Sequence, residues 1–123
     1  MRTVLIVEDS EACAETLQIA LESLPNLKTI VVRSAAAALE SLQRETGTVA
    51  AIVTDLHMPK NNGFELLRRL RADVRYANLP VLMISGDSDP RLPRRALESG
   101  ADAFFSKPYS PAAVRRKLEQ LLC

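Results

Sequence analysis

Residues 52–67 read IVTDLHMPKNNGFELL. An apolar run stops on an acid, Asp55. A Met-Pro step and a polar turn follow, and an amphipathic segment begins after Gly63. The run is short and rich in β-formers, as in a strand buried on both faces of a parallel sheet. An ionised carboxylate at the end of such a strand is costly unless something compensates its charge. Asp55 therefore marks the place where chemistry is expected.

The same alternation extends in both directions. Apolar, β-rich runs occur at 4–7 (VLIV), 27–32 (LKTIVV), 49–54 (VAAIVT), 81–84 (VLMI) and 103–105 (AFF). Segments of helical period separate them. Ser10 is placed to cap the first, with Leu17, Ala20, Leu21 and Leu24 on one stripe and Pro25-Asn26 as its stop. Ser34 is placed to cap the second, which carries Ala35, Ala38, Leu39 and Leu42. Gly63 precedes the third, with Phe64, Leu67 and Leu70. The fourth contains Ala96 and Leu97 and stops at Gly100. Pro90 and Pro93 delay its start to about Leu92–Pro93, because a proline supplies no N–H to the helix. Ser110-Pro111 opens the fifth, whose stripe is Val114, Leu118, Leu121 and Leu122. Five βα units in succession predict an α/β fold, with a parallel sheet wound on both faces by helices.

The chain has 123 residues, enough for one domain with one core. It is 47% hydrophobic and 25% charged, a globular rather than a disordered composition. No apolar run approaches the roughly 18–20 residues that span a bilayer, and the start lacks the pattern of a signal peptide. The expected location is cytoplasmic, without membrane attachment. Cys13 and Cys123 are far apart and read as free thiols. His57 is the single histidine and cannot build a zinc site alone. Charge runs from −3 in residues 1–62 to +4 in residues 63–123. The basic groups (Arg68-Arg69-Arg71, Arg91-Arg94-Arg95, Arg115-Arg116-Lys117) read as solvated helix faces, and direct nucleic-acid binding is not expected.

In an open parallel sheet, ligands bind beyond the carboxyl ends of the strands. There the chain places Glu8-Asp9 after the first strand and Asp55 at the end of the third, followed by His57. Ser85-Gly86 lies at the end of the fourth strand and Lys107-Pro108 after the fifth. Each alone is a common surface or turn residue, but together they collect three acids, a hydroxyl and an ammonium at one edge. Two carboxylates about 4 Å apart repel by about 4 kcal/mol at an effective dielectric of 20. The cluster therefore needs cations: Lys107 could supply one charge, and a divalent ion with oxygen ligands could supply two. The alternative is a held proton and a raised pKa.

These residues, in the segments TDLHMPKNNG and FFSKPYS and after the first and fourth strands, resemble the receiver domain of two-component response regulators. The resemblance covers Thr3 to Leu122. It implies a flavodoxin-like (βα)5 arrangement with strand order 2-1-3-4-5, and a single receiver domain over 1–123 without an output domain. It implies that Asp55 accepts a phosphoryl group from a histidine kinase or phosphotransfer protein. Mg²⁺ (or Mn²⁺) would be held by Asp9, Asp55 and the backbone carbonyl of His57, with Glu8 acting through water. Lys107 and Ser85 would contact the phosphoryl group, and Phe104 would rotate inward as the site switches. His57 and Asp87 would tune the lifetime of the phosphoryl group, and Pro59, Gly63 and Pro108 would shape the turns. A downstream protein would bind the face of the fourth helix, fifth strand and fifth helix, on a monomer or weak homodimer. Such a domain is not a conventional turnover enzyme, but promotes its own phosphorylation and dephosphorylation. Phe104 departs from the tyrosine pattern by lacking a hydroxyl.

Three other readings share parts of this pattern. A Mg²⁺-dependent phosphohydrolase with an aspartyl-phosphate intermediate typically has an acid two residues after its nucleophile, where this chain has His57. A flavin binder has a hydroxyl- and Gly-rich first loop, where this chain has Glu8-Asp9-Ser10. A pseudo-receiver interacts without phosphorylation and does not require the full set of acid, hydroxyl and lysine.

Overall fold

The computed structural model describes residues 2–44, 49–57 and 62–122. Strands β1 (Arg2–Val7), β2 (Leu27–Val32), β3 (Val49–Asp55), β4 (Val81–Ser85) and β5 (Ala103–Ser106) alternate with helices α1 (Glu11–Leu21), α2 (Ala35–Arg44), α3 (Gly63–Ala72), α4 (Leu92–Glu98) and α5 (Pro111–Leu122). The sheet is parallel, in the order β2-β1-β3-β4-β5. No helix among the described residues is long and apolar enough to cross a membrane.

The unbroken apolar runs have a direct cause. Successive strand residues point to opposite faces, and both faces are covered. Val4, Ile6, Val53, Leu82 and Ile84 pack with Leu17 and Leu21 of α1 and Val114 and Leu118 of α5. Leu5, Val7, Ile52 and Met83 pack on the other face with Ala38 and Leu42 of α2, Leu66, Leu67 and Leu70 of α3, and Ala96 of α4. The edge strand β2 is only partly covered.

Helix starts follow the expected chemistry. Ser10 Oγ accepts the Cys13 N–H, Ser34 Oγ that of Ala37, and Ser110 Oγ that of Ala113. Asn62 caps α3 by accepting the Glu65 N–H. Before α4, Asp89 accepts the Arg91 N–H in a tight turn, and the helix begins at Leu92 without a side-chain cap.

Three details differ from the sequence pattern. Helix α1 ends at Leu21, so Leu24 lies beyond it; the Leu24 N–H bonds to the Leu21 carbonyl in a tightened turn, and Asn26 takes a positive φ of 58°. Leu97 is half exposed, because Leu92 and Ala96 supply the core face of α4. Arg71 is not a solvated surface residue. Its guanidinium donates to the carbonyls of Gly100, Tyr76 and Leu79.

Candidate functional site

Parallel strands in register bring their carboxyl ends to one edge. Val7 lies opposite Thr54, Asp55 opposite Ile84, and Ser85 opposite Ser106. Glu8 and Asp9 follow β1 there, Asp55 and Ser85 end their strands, and Lys107 follows β5. Carboxylate oxygens of Glu8, Asp9 and Asp55 lie within 4.8 Å of one another. Glu8 and Asp55 are buried at 2% and 7% exposure, while Asp9 is exposed. Lys107 Nζ stands 3.3 Å from Asp55 Oδ2 and 3.5 Å from Glu8 Oε1.

One ammonium does not balance three carboxylates. Burial, reinforced by the Asp55 carboxylate, pushes the Glu8 pKa up to about 7, against the Ser10 N–H and Lys107, which pull it down. Burial works against the Lys107 charge, but Asp55 and Glu8 outweigh it and hold that pKa above its ordinary value. A divalent cation would bring three carboxylates and one ammonium to neutrality. Clustered carboxylate oxygens are the hard ligands that Mg²⁺ and Mn²⁺ prefer. The residues present therefore fit such an ion.

The loops around Asp55 are tightly built. Asp55 Oδ1 accepts the His57 N–H at 3.2 Å, and the Leu56 N–H bonds to the Ile84 carbonyl. The Gly63 N–H bonds to the Leu56 carbonyl at 2.7 Å, which brings the start of α3 against the end of β3. A Cβ on Gly63 would meet Met83 Cε at 2.8 Å and the Asp55 carbonyl oxygen at 2.9 Å. Gly63 is thus required by close approach. Ser85 is fully buried, and its Oγ accepts the Asp87 N–H at 3.0 Å. His57 Nε2 and Asp87 Oδ2 are 3.2 Å apart, joining the loops after β3 and β4. The Lys107 N–H bonds to the Ser85 carbonyl, and the Lys107–Pro108 peptide is cis.

Residues 4–119 match the family model of the response regulator receiver domain. The chain belongs to this family. It is similar to the chemotaxis protein CheY1 of Helicobacter pylori, at 29% identity over 97% of this chain and 95% of that protein. It is also similar to the two-component response regulator ORR3 of Oryza sativa subsp. indica, at 34% identity over 97% of this chain and 89% of that one. Among solved structures it resembles the signal receiver domain of a signal transduction histidine kinase from Syntrophus aciditrophicus. That match has a TM-score of 0.87 and 34% identity, covering 99% of this chain and 90% of that one. Receiver domains are signalling modules of two-component systems.

In this receiver domain the remaining singled-out residues are spread more widely. Phe104 is half-buried and packs on the cluster beneath α2, α3 and α4. Pro59 lies outside the described residues. Tyr109 was not singled out from sequence, yet with Cys13 and Lys107 it lines a hollow of about 330 Å³ beside the acids. Burial, with Cys13 and Glu8 nearby, pushes its phenol up to about 12. Its position between Pro108 and Pro111, two residues after Lys107, was the available signal.

Proposed function

We propose that Asp55 accepts a phosphoryl group from a phosphohistidine on a kinase or phosphotransfer protein, and that the resulting charge switches the partner-binding face. The observation that carries this reading is the setting of Asp55. It is a nearly buried strand-end carboxylate with an ammonium 3.3 Å away and two further acids within 4.8 Å. An Asp55 carboxylate oxygen attacks phosphorus in line. The P–N bond to the histidine breaks, and the electron pair leaves with the imidazole nitrogen, which is neutralised by a proton. The product is an acyl phosphate on Asp55.

Such a transfer depends on positioning and on neutralising charge at the phosphoryl oxygens. Asp9, Asp55 and the His57 backbone carbonyl would hold Mg²⁺ or Mn²⁺, with Glu8 acting through water. When bound, the ion supplies positive charge to the phosphoryl oxygens. Lys107 supplies another. Ser85 accepts a hydrogen bond from Asp87, which leaves its hydroxyl proton for a phosphoryl oxygen. Drawing Ser85 toward that oxygen strains the β4–α4 loop, and inward rotation of Phe104 completes the change at α4, β5 and α5. His57 and Asp87 flank the approach to Asp55 and govern access of hydrolytic water. We place this cycle in the cytoplasm.

The test is intact-mass spectrometry after incubation with Mg²⁺ and acetyl phosphate. Wild type is expected to gain one phosphoryl group, and to gain none after chelation of the metal or with Asp55→Asn. Equal labelling of Asp55→Asn would overturn the acceptor assignment.

A further inference from the structure

The segment GFELLRRLRA commits Leu66, Leu67 and Leu70 to the core. Phe64, Arg68 and Arg71 are spaced i, i+4 and i+7 and form a second stripe facing α4. On α4, Leu92 and Ala96 face inward, which turns Arg95 toward α3, with Ser99 one turn further on. Between the helices runs an open groove of about 670 Å³, lined by Phe64, Glu65, Arg68, Arg71 and Arg95. Its walls are charged and aromatic together. The Arg95 guanidinium sits 4.1 Å above the Phe64 ring centroid.

The charges along the groove do not cancel. Glu65 is shared by two guanidiniums, Arg68 at 2.6 Å and Arg69 at 3.2 Å. Arg95 stacks on the ring and has no carboxylate at ion-pair distance among the described residues; Asp89, which Arg91 holds, attracts it only from further away. Arg71 spends its donors mainly on the neutral carbonyls of Gly100, Tyr76 and Leu79, with the Asp102 carboxylate 3.4 Å away. By contrast, Arg91 just before α4 and Arg94 on its exposed side are matched by Asp89 and Glu98. Among the described residues, three arginines line the groove against the single carboxylate of Glu65, so a positive surplus remains there beside an aromatic surface.

We propose that the α3–α4 groove docks an acidic segment of a partner protein, with a carboxylate on Arg95 and one apolar side chain against Phe64. Charge complementarity selects this occupant. Nucleic acid is disfavoured because Phe64 is the one aromatic among the described residues that line the groove, too little for a row of stacked bases. A small free anion is disfavoured because the groove is open and Arg68 and Arg95 are exposed, while Arg71 is already engaged by backbone carbonyls. The proposal does not depend on phosphorylation of Asp55.

The probe is a fluorescein-labelled Asp/Glu peptide carrying one central Leu, titrated with the unphosphorylated protein by fluorescence anisotropy at physiological salt. Wild type is expected to bind it saturably. Arg95→Ala is expected to weaken binding roughly tenfold, as loss of an anchoring arginine does. Arg116→Ala, an exposed arginine on α5, removes the same charge and is expected to change binding less than about twofold. Amide shifts are expected to cluster at Phe64, Arg95 and Ser99. Equal weakening by the two variants, shifts centred on α1 or α5, or absence of saturable binding overturns the proposal. Tighter binding of a single-stranded oligonucleotide at the same salt, lost with Arg95→Ala, overturns the choice of occupant.

Discussion

At Gly63 a single methyl group would strike both a side chain and the backbone. Met83 Cε can move aside, but the Asp55 carbonyl oxygen at 2.9 Å and the Leu56 Cα at 3.1 Å cannot move without shifting β3. Gly63→Ala is therefore expected to cost about 1–3 kcal/mol, read as a lower midpoint in urea denaturation. An unchanged midpoint would mean that the start of α3 is looser than its contacts indicate. Lys107 tests the electrostatics. Lys107→Ala is expected to leave Mg²⁺ affinity largely intact and to slow labelling by acetyl phosphate about a hundredfold, the scale for losing one preorganised charge donor. Loss of metal binding with unchanged labelling would contradict that role. Tyr109 carries the pH dependence of the alkaline range. Its phenol is raised from 10.0 to about 12, chiefly by burial. The folded state thus holds a proton that the unfolded state releases first. The contribution to stability is complete below pH 10 and declines as pH rises toward about 12. Phenolate absorbance should show a late component that Tyr109→Phe removes. Asp55 and Lys107 were visible in the sequence because strand ends are predictable. The perturbed phenol was not, since its burial, and the approach of Cys13 and Glu8, come from packing against a distant part of the chain.

Among the helices, α3 is tied down by an arginine that sequence alone assigns to solvent. Arg71 Nε and Nη2 both donate to the Gly100 carbonyl at 3.1 and 2.8 Å, and Nη1 donates to Tyr76 and Leu79 at 3.1 and 2.9 Å. One planar fork thus joins α3, the segment before β4 and the turn after α4. Gly100 has a φ of 108° and lies against the Arg71 side chain, so two separate signals meet at one contact. Arg71→Ala is expected to destabilise the fold by about 2 kcal/mol, the scale of lost charge-assisted hydrogen bonds. Arg71→Lys should recover little, because an ammonium cannot reproduce the fork. Thermal or urea unfolding of the pair checks this, and full rescue by lysine would reduce the contact to charge alone. Helix starts were legible because Ser10, Ser34 and Ser110 act within their own turn. The early end of α1 was not, since the tightened turn through Leu24 is settled by the entry into β2 and by Asn26.

In the molecule as a whole, the acids act as one unit. Asp55 ends β3 and Glu8 and Asp9 follow β1, and sheet register holds the two strand ends together, so their repulsion is borne by the entire fold. A divalent ion that binds only the folded state should stabilise it, by about 2.7 kcal/mol at a hundredfold excess over Kd. Thermal melts are expected to shift upward with Mg²⁺ for wild type and much less for Asp9→Ala. An equal shift in both would place the ion elsewhere. The alternation of apolar runs and helical stripes was enough for the sequence to determine the parallel α/β architecture, because strand and helix periods are local and burial on both faces leaves unbroken apolar runs. The same local logic placed Glu8, Asp9, Asp55, Ser85 and Lys107 at one edge. Only the tertiary structure decided which of them share charge at 3.3–3.5 Å, that His57 faces Asp87, and that Arg95 lies over Phe64. Those distances depend on how separate loops and helices pack across the sheet, and electrostatic and stacking energies change steeply over a few ångströms that no spacing along the chain records.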